Sequence, residues 1–238
     1  MQNSLKGVWI AGLVVTLWIV SLVLLLRSDV WSTRPLLMPL AIAWQTFLYT
    51  GIFITAHDAI HGSILPGRHR FNATIGAVLL FGYALFPYAK VRAKHFEHHR
   101  FPASDKDPDY HDGKHPGFWR WYRHFLFTYI TPWQILGMAL LFNVLLHVLG
   151  IPIIRLFAFW VIPALLSTLQ LFYFGTYLPH KEPPGGYDNP HRARSNNFSV
   201  WWSFWSCYHF GYHFEHHQYP GTPWWHLPQK RFASQRTD

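Results

Sequence analysis

Eight histidines fall into three tight clusters along this chain, and two of the clusters are the same five residues. "HDAIH" places His57 and His61 at i and i+4. "HFEHH" occurs at 95–99 and again at 213–217, which sets His95, His98, His99, His213, His216 and His217 at i, i+3 and i+4. On a helix these spacings return to nearly one face, so each cluster is expected to aim its imidazoles at one point. Neutral imidazole is the commonest metal ligand among side chains. A lone HxxxH is more often an ordinary surface or core pair, but three clusters, each just beyond an apolar run, point to metal. Eight or nine imidazoles exceed the four donors of one tetrahedral ion. They suit two ions, each with four or five nitrogens and a position left open. Imidazole accommodates iron, copper, nickel and zinc alike. An enzyme working in lipid meets unactivated C–H bonds, which favours iron and O₂. Glu97 and Glu215, at i+2, point off the histidine face and read as solvated or supporting carboxylates rather than ligands.

Metal-bound histidines usually donate their other ring N–H to a carboxylate or carbonyl. Asp58 lies inside the first cluster, and Asp107 and Asp109 follow the second in "DKDPDYH". These three are the expected supporting carboxylates. The competing reading of that stretch is a polar turn built around Pro108. His69, His111, His115, His124, His147, His191 and His226 read as ordinary surface or core residues.

The elements that must bring the clusters together are apolar. Half of the 238 residues are hydrophobic and 13% are charged, against about 25% charged in soluble domains. The runs 7–26, 35–56, 132–150 and 156–178 each approach the roughly 20 residues that cross a bilayer. The first has no small-residue cleavage site after it and reads as a span rather than a leader. Residues 71–89 are apolar but interrupted early by small and polar residues and ended by Pro87. A full crossing there would put the two HFEHH copies on opposite sides, so this segment reads as a re-entrant or interfacial helix. The expected fold is one all-α integral membrane domain over 1–238: four spans, the re-entrant or interfacial helix, and a cytoplasmic helical cap holding the histidines. With both termini and the clusters on the cytoplasmic side, only Arg27, Arg34 and Arg155 of the 20 Lys and Arg fall in outer turns. That is the positive-inside bias. The net charge of +9 is then matched to anionic lipid headgroups, and no nucleic acid partner is expected. A single cysteine, Cys207, excludes an internal disulfide and a cysteine-bound iron–sulfur cluster.

Four stretches carry a likeness: "HDAIHG" (57–62), "FPASDKDPDYH" (101–111), "FGTYLPH" (174–180) and "FGYHFEHHQYPGTPWWHLP" (210–228). Together they resemble the bacterial-type β-carotene ketolases of the membrane fatty acid desaturase/hydroxylase superfamily. The histidine clusters match the superfamily, whereas "FGTYLPH" and the tryptophan-rich tail carry the ketolase likeness. The resemblance implies a two-iron, O₂-dependent oxygenase in the bacterial inner membrane. It would oxidise the C4 methylene of β-ionone rings to a ketone, taking β-carotene through echinenone to canthaxanthin and leaving open the parallel conversion of zeaxanthin to astaxanthin. It implies an external reductant, with ferredoxin the expected donor; the chain carries no flavin, haem or nicotinamide motif. It also implies a ninth ligand after the last apolar run. His180, ending "TYLPH", holds that position, and His209, one turn before His213, competes for it. A fatty acid desaturase would more often be longer, and a carotenoid ring hydroxylase would lack "FGTYLPH". A metal carrier would need polar groups along the spans, where there are almost none. Tyr83, Phe86 and Trp201 either line a polyene channel or anchor at the bilayer interface.

Overall fold

A computed structural model describes residues 5–234, and these are helical, with no strand among them. Three helices are long and apolar enough to cross a membrane: α1 (Lys6–Arg27), α2 (Pro35–Ile60) and, further on, Ile153–His180. Two pairs of helices pass the same test only when joined across a sharp bend. The first pair is α3 (His69–Ala84) and α4 (Tyr88–Arg100), bent by 103°. The second is α5 (Phe118–Tyr129) and α6 (Pro132–Val148), bent by 86°. The described residues thus hold three candidate spans, or up to five if each bent pair is one span. Ile153–His180 is α7, and three short helices follow: α8 (Val200–Cys207), α9 (His213–Gln218) and α10 (Leu227–Ser234). The extreme termini, 1–4 and 235–238, lie outside the described residues, so the expected single domain is described over 5–234.

α1 exposes apolar side chains nearly all round, among them Trp9, Leu13, Leu17 and Leu24, the pattern of a helix that faces lipid. α2 is the buried centre. From Gln45 to Ile60 it packs against α1, α3 and α7, and its second half is almost wholly enclosed. It stops just past His61 because Gly62 takes φ +76°, a left-handed conformation that glycine adopts without penalty.

The two ends of the bundle are fixed by different contacts. At one end Arg155 at the start of α7 donates to the Leu26 carbonyl (3.3 Å) and pairs with Asp29, which gathers the α1–α2 and α6–α7 turns. At the other end lie the last turns of α2 and α7, carrying His57, His61 and His180. Halfway between, Thr50 sits within 2.7 Å of Gln170 Oε1 and 3.0 Å of Ser167 Oγ. Tyr83, near the end of α3, donates to the same Ser167 hydroxyl at 3.0 Å. Polar bonds of this kind join helices where no water competes. They also set a depth: α3 descends from the histidine end only to the middle of α2 and α7. It turns at Leu85, which adopts φ +56°, and after Pro87 the chain returns through α4. The apolar segment 71–89 is therefore no single straight helix: it covers most of α3, the turn at Leu85 and the start of α4. α6, expected as a full span, has 17 residues between Pro132 and Val148, about 25 Å at 1.5 Å per residue, and meets α5 at a bend. Its last turn and two stretches of α7, Phe157–Val161 and Tyr173–Tyr177, are π-helical.

Candidate metal centre

Nine histidines converge at the closed end of the bundle in two adjacent groups. In the first, His57, His61, His95, His99 and His216 bring one nitrogen each to within 4.8 Å of one another. In the second, His98, His180, His213 and His217 do the same. The groups adjoin through the rings of His99 and His217, stacked with centroids 4.3 Å apart.

This partition corrects the expectation that each cluster aims at one point. The first HFEHH gives its i and i+4 members, His95 and His99, to the five-histidine group and its i+3 member, His98, to the other. The second copy does the reverse: His213 and His217 enter the four-histidine group and His216 crosses to the five. Helix geometry explains the split. At 100° per residue, i and i+4 lie about 40° apart, whereas i+3 and i+4 diverge by about 100°. One HxxHH therefore reaches two points, and two copies facing each other complete both. "HDAIH", with only i and i+4, serves a single group.

The nitrogens are arranged as donors to a cation. His98 Nδ1 donates to Asp107 at 2.9 and 3.0 Å, and His180 Nδ1 donates to the Arg192 carbonyl at 2.8 Å. With Nδ1 committed to these acceptors, the Nε2 of each ring is left facing its group. His180 Nε2 is buried with no partner, and His98 Nε2 meets His217 Nε2 at 3.1 Å, which in turn meets His213 Nε2 at 3.1 Å. One Nε2–H can serve each of these contacts, but His180 Nε2 has nothing to meet, and a cation at the focus of the four nitrogens would take up its lone pair. The five-histidine group has the same form, with Nε2 pairs His57–His216 at 3.2 Å, His99–His216 at 2.9 Å and His61–His95 at 2.6 Å. Burial, reinforced by neighbouring imidazoles, holds His213, His216 and His217 well below the usual imidazole range. They stay neutral, the form that ligates metal. The donor set fits two metal ions.

The three aspartates differ. Burial alone would raise the Asp107 carboxyl, but the His98 imidazole it holds keeps it below its ordinary value. Asp107 also accepts from the Ala103 and Asp109 backbone N–H groups at 2.8 Å each, so "DKDPDYH" is both a polar turn and a histidine support. Asp109 lies 3.9 Å from His98 Nδ1 and binds the Tyr129 hydroxyl at 2.5 Å. Burial pushes it up to about 6. Asp58 lies 3.5 Å from His57 Nδ1, beyond hydrogen-bond geometry, and instead accepts from the Trp224 backbone N–H at 2.9 Å.

His180 stands inside the four-histidine group. His209 stands outside both, because Tyr208 and His209 adopt φ +48° and +61° and turn the ring onto Tyr212, parallel at 5.7 Å. Of the two HFEHH glutamates, Glu97 is exposed. Glu215 is fully buried, bound to the Ser195 hydroxyl and to Arg231 at 3.1 Å. It ties α9 to α10 and to the preceding loop, a structural role that its repeated position in the motif does not reveal. His191, read as ordinary, brings its ring to 6.0 Å from His217.

A 560 Å³ cavity runs from this centre into the bundle, within the size range of ligand pockets. His57, His95, His98 and His213 line one end, and its walls are largely apolar, including Phe53, Leu80, Phe125 and Met138. Tyr83 and Phe86 line it too. Trp201 does not, and is 61% exposed.

The sequence matches the family described as Fatty acid desaturase over residues 30–133 and 127–235. The chain belongs to the fatty acid desaturase family. Among curated proteins, it is 42% identical over 201 residues to a protein named beta-carotene ketolase from Paracoccus sp. (strain PC1), covering 84% of this chain and 81% of the relative. It is 39% identical to the beta-carotene ketolase of Paracoccus sp. (strain N81106 / MBIC 01143), over 97% and 90% of the two chains. A zeaxanthin 4-ketolase from Chlamydomonas reinhardtii is 37% identical over 97% of this chain and 54% of its own length. No solved structure gives a significant match. Within this desaturase-family fold, both histidine groups and the cavity fall inside the matched regions.

Proposed function

We propose that this chain is a membrane carotenoid ketolase, an O₂-dependent oxidoreductase that converts the C4 methylene of a β-ionone ring to a ketone at a two-iron centre. The observation that carries the reading is the apolar cavity ending directly on both histidine groups. A polyene has no polar atom to anchor it, so its ring is positioned by shape, against Phe53, Phe86 and Phe210, with C4 presented to the histidine end.

The five-histidine group would hold one iron and the four-histidine group the other. Bound iron supplies the reduction of O₂ and the oxidation of the C–H bond. The protein's contribution is ligation, exclusion of water and placement of the substrate. Asp107 fixes the His98 ring so that its Nε2 faces inward, and the Arg192 carbonyl does the same for His180. Each round consumes one O₂, two electrons and two protons and releases one water. The first round gives the 4-hydroxy compound, and the second gives a gem-diol that loses water to the ketone. Electrons come from a separate one-electron donor of the ferredoxin type. We read four spans, α1, α2, α6 and α7, with α3–α4 re-entrant, an arrangement that would leave the histidines and both ends of the chain on the cytoplasmic side. The Lys and Arg distribution supports that orientation.

The test is direct. Purified, iron-loaded protein with reductant and ¹⁸O₂ is expected to turn β-carotene into a 4-ketone carrying the label, with the 4-hydroxy compound rising first and then declining. A stable 3-hydroxy product would indicate a ring hydroxylase. A new double bond in a fatty acyl chain, with carotene untouched, would indicate a desaturase.

A further inference from the structure

The cavity walls are buried or half-buried except at five positions, and those five form two facing stripes. Ile135, Ala139 and Asn143 follow one another at i, i+4 and i+8 on α6. Phe157 and Leu165, with the half-buried Val161 between them, repeat the spacing on α7. Residues four apart on a helix lie on one face, so each helix turns a single edge toward the other and both edges are open to the outside.

The opening has a frame. Toward the end away from the histidines, Phe142 closes against Phe157 and Trp160, with ring centroids at 5.4 and 6.2 Å. Toward the histidines, the Tyr122 and Thr168 hydroxyls bond at 2.6 Å. The Ile135–Asn143 edge of the opening is about 12 Å long at 1.5 Å per residue. The surface beside it is apolar: Leu136, Leu140 and Ile162 are all exposed. An exposed apolar surface this continuous is suited to lipid rather than water. At the opposite end of the cavity His57, His95, His98, His213 and Phe210 are all buried.

We propose that the carotenoid enters sideways from the bilayer core through this window between α6 and α7, and that its far half stays in lipid while the near ring is oxidised. The inference rests on the ketolase reading. An apolar polyene dissolved in the bilayer reaches the histidine groups this way without passing through water. Ala139 is the sill: its methyl group is the smallest side chain on either stripe, at the midpoint of the α6 edge.

The experiment compares iron-loaded Ala139→Trp with Leu140→Trp, the neighbouring position that is 65% exposed and does not line the cavity. Ala139→Trp is expected to lose at least tenfold in both β-carotene binding and 4-ketone formation at unchanged iron content, and Leu140→Trp to stay within twofold of wild type. If Ala139→Trp fails to load iron, Ala139→Cys modified with disulfide-forming reagents of increasing size takes its place. Activity then falls with the size of the adduct and returns when the adduct is reduced. Binding and ketone formation at wild-type rates in iron-loaded Ala139→Trp, or in the fully modified Ala139→Cys protein, would overturn the window. A wild-type protein that binds β-carotene through the same Ala139-sensitive route yet forms no ketone would overturn the ketolase reading and uphold the window.

Discussion

At the scale of single residues, the centre is defined by which ring nitrogen each histidine keeps protonated. His98 and His180 are committed by their Nδ1 partners, the Asp107 carboxylate and the Arg192 carbonyl. Asp107→Asn keeps the shape but weakens that hold, and loss of such a supporting partner typically costs about 10–100-fold in metal affinity or activity. The expected outcome is partial iron retention with a ketone-forming rate reduced by about that factor, read by iron assay and product analysis on the same preparation. His180→Ala removes one of four nitrogens from one group and none from the other. Iron content is expected to fall from two toward one per chain, whereas His209→Ala is expected to leave it at two. Loss of iron with His209 and not with His180 would reverse their roles. The eight clustered histidines were legible in the sequence because histidine at i, i+3 and i+4 has few structural uses, whereas His180 was reached only through the resemblance to the desaturase/hydroxylase superfamily. Glu215 was not, because its partners Ser195 and Arg231 are brought to it only by the folding of two other segments.

At the scale of elements, the third cluster is held in register by contacts from three directions. Arg231 on α10 pairs with the fully buried Glu215. Removing one partner of a buried pair leaves an uncompensated charge and costs about 3 kcal/mol or more. Arg231→Ala is expected to lower the thermal unfolding midpoint of detergent-solubilised protein, and Glu215→Gln in the same chain to recover part of the loss. An unchanged midpoint in the single variant would mean that α10 does not brace α9. Gly175, in the π-helical turn of "FGTYLPH", has no room for a side chain: an added Cβ would lie 2.2 Å from the Phe210 ring. Phe210 packs against His57 and His213 at 4.9 and 5.1 Å. Gly175→Ala is therefore expected to displace Phe210, with ketone formation falling at least tenfold while the protein still inserts in membranes. Retention of full activity would show that Phe210 has slack. The helical period of the clusters was readable from sequence. The mutual inversion of the two HFEHH copies was not, since it depends on α4 and α9 facing each other across the centre.

At the scale of the whole molecule, apolar runs gave α1, α2 and α7 close to their observed bounds, because span length is set by the bilayer and not by tertiary detail. The bent pairs were harder. α3 ends beside Ser167 of α7, where Tyr83 donates to its hydroxyl, a contact that sequence spacing does not disclose, and α6 is shorter than its hydropathy suggests. The four-span arrangement predicts that cysteines introduced at 30–34 and 150–153 label from the side opposite to those at 103–115. Labelling of all three regions from one side would contradict it. The central claim is that two copies of one motif share two iron ions reciprocally. Anomalous diffraction from crystals of the iron-loaded protein tests it most directly. Two iron peaks are expected, one bonded to His57, His61, His95, His99 and His216 and the other to His98, His180, His213 and His217. A single iron peak, or a peak bonded to all three histidines of one HFEHH copy, would contradict the account.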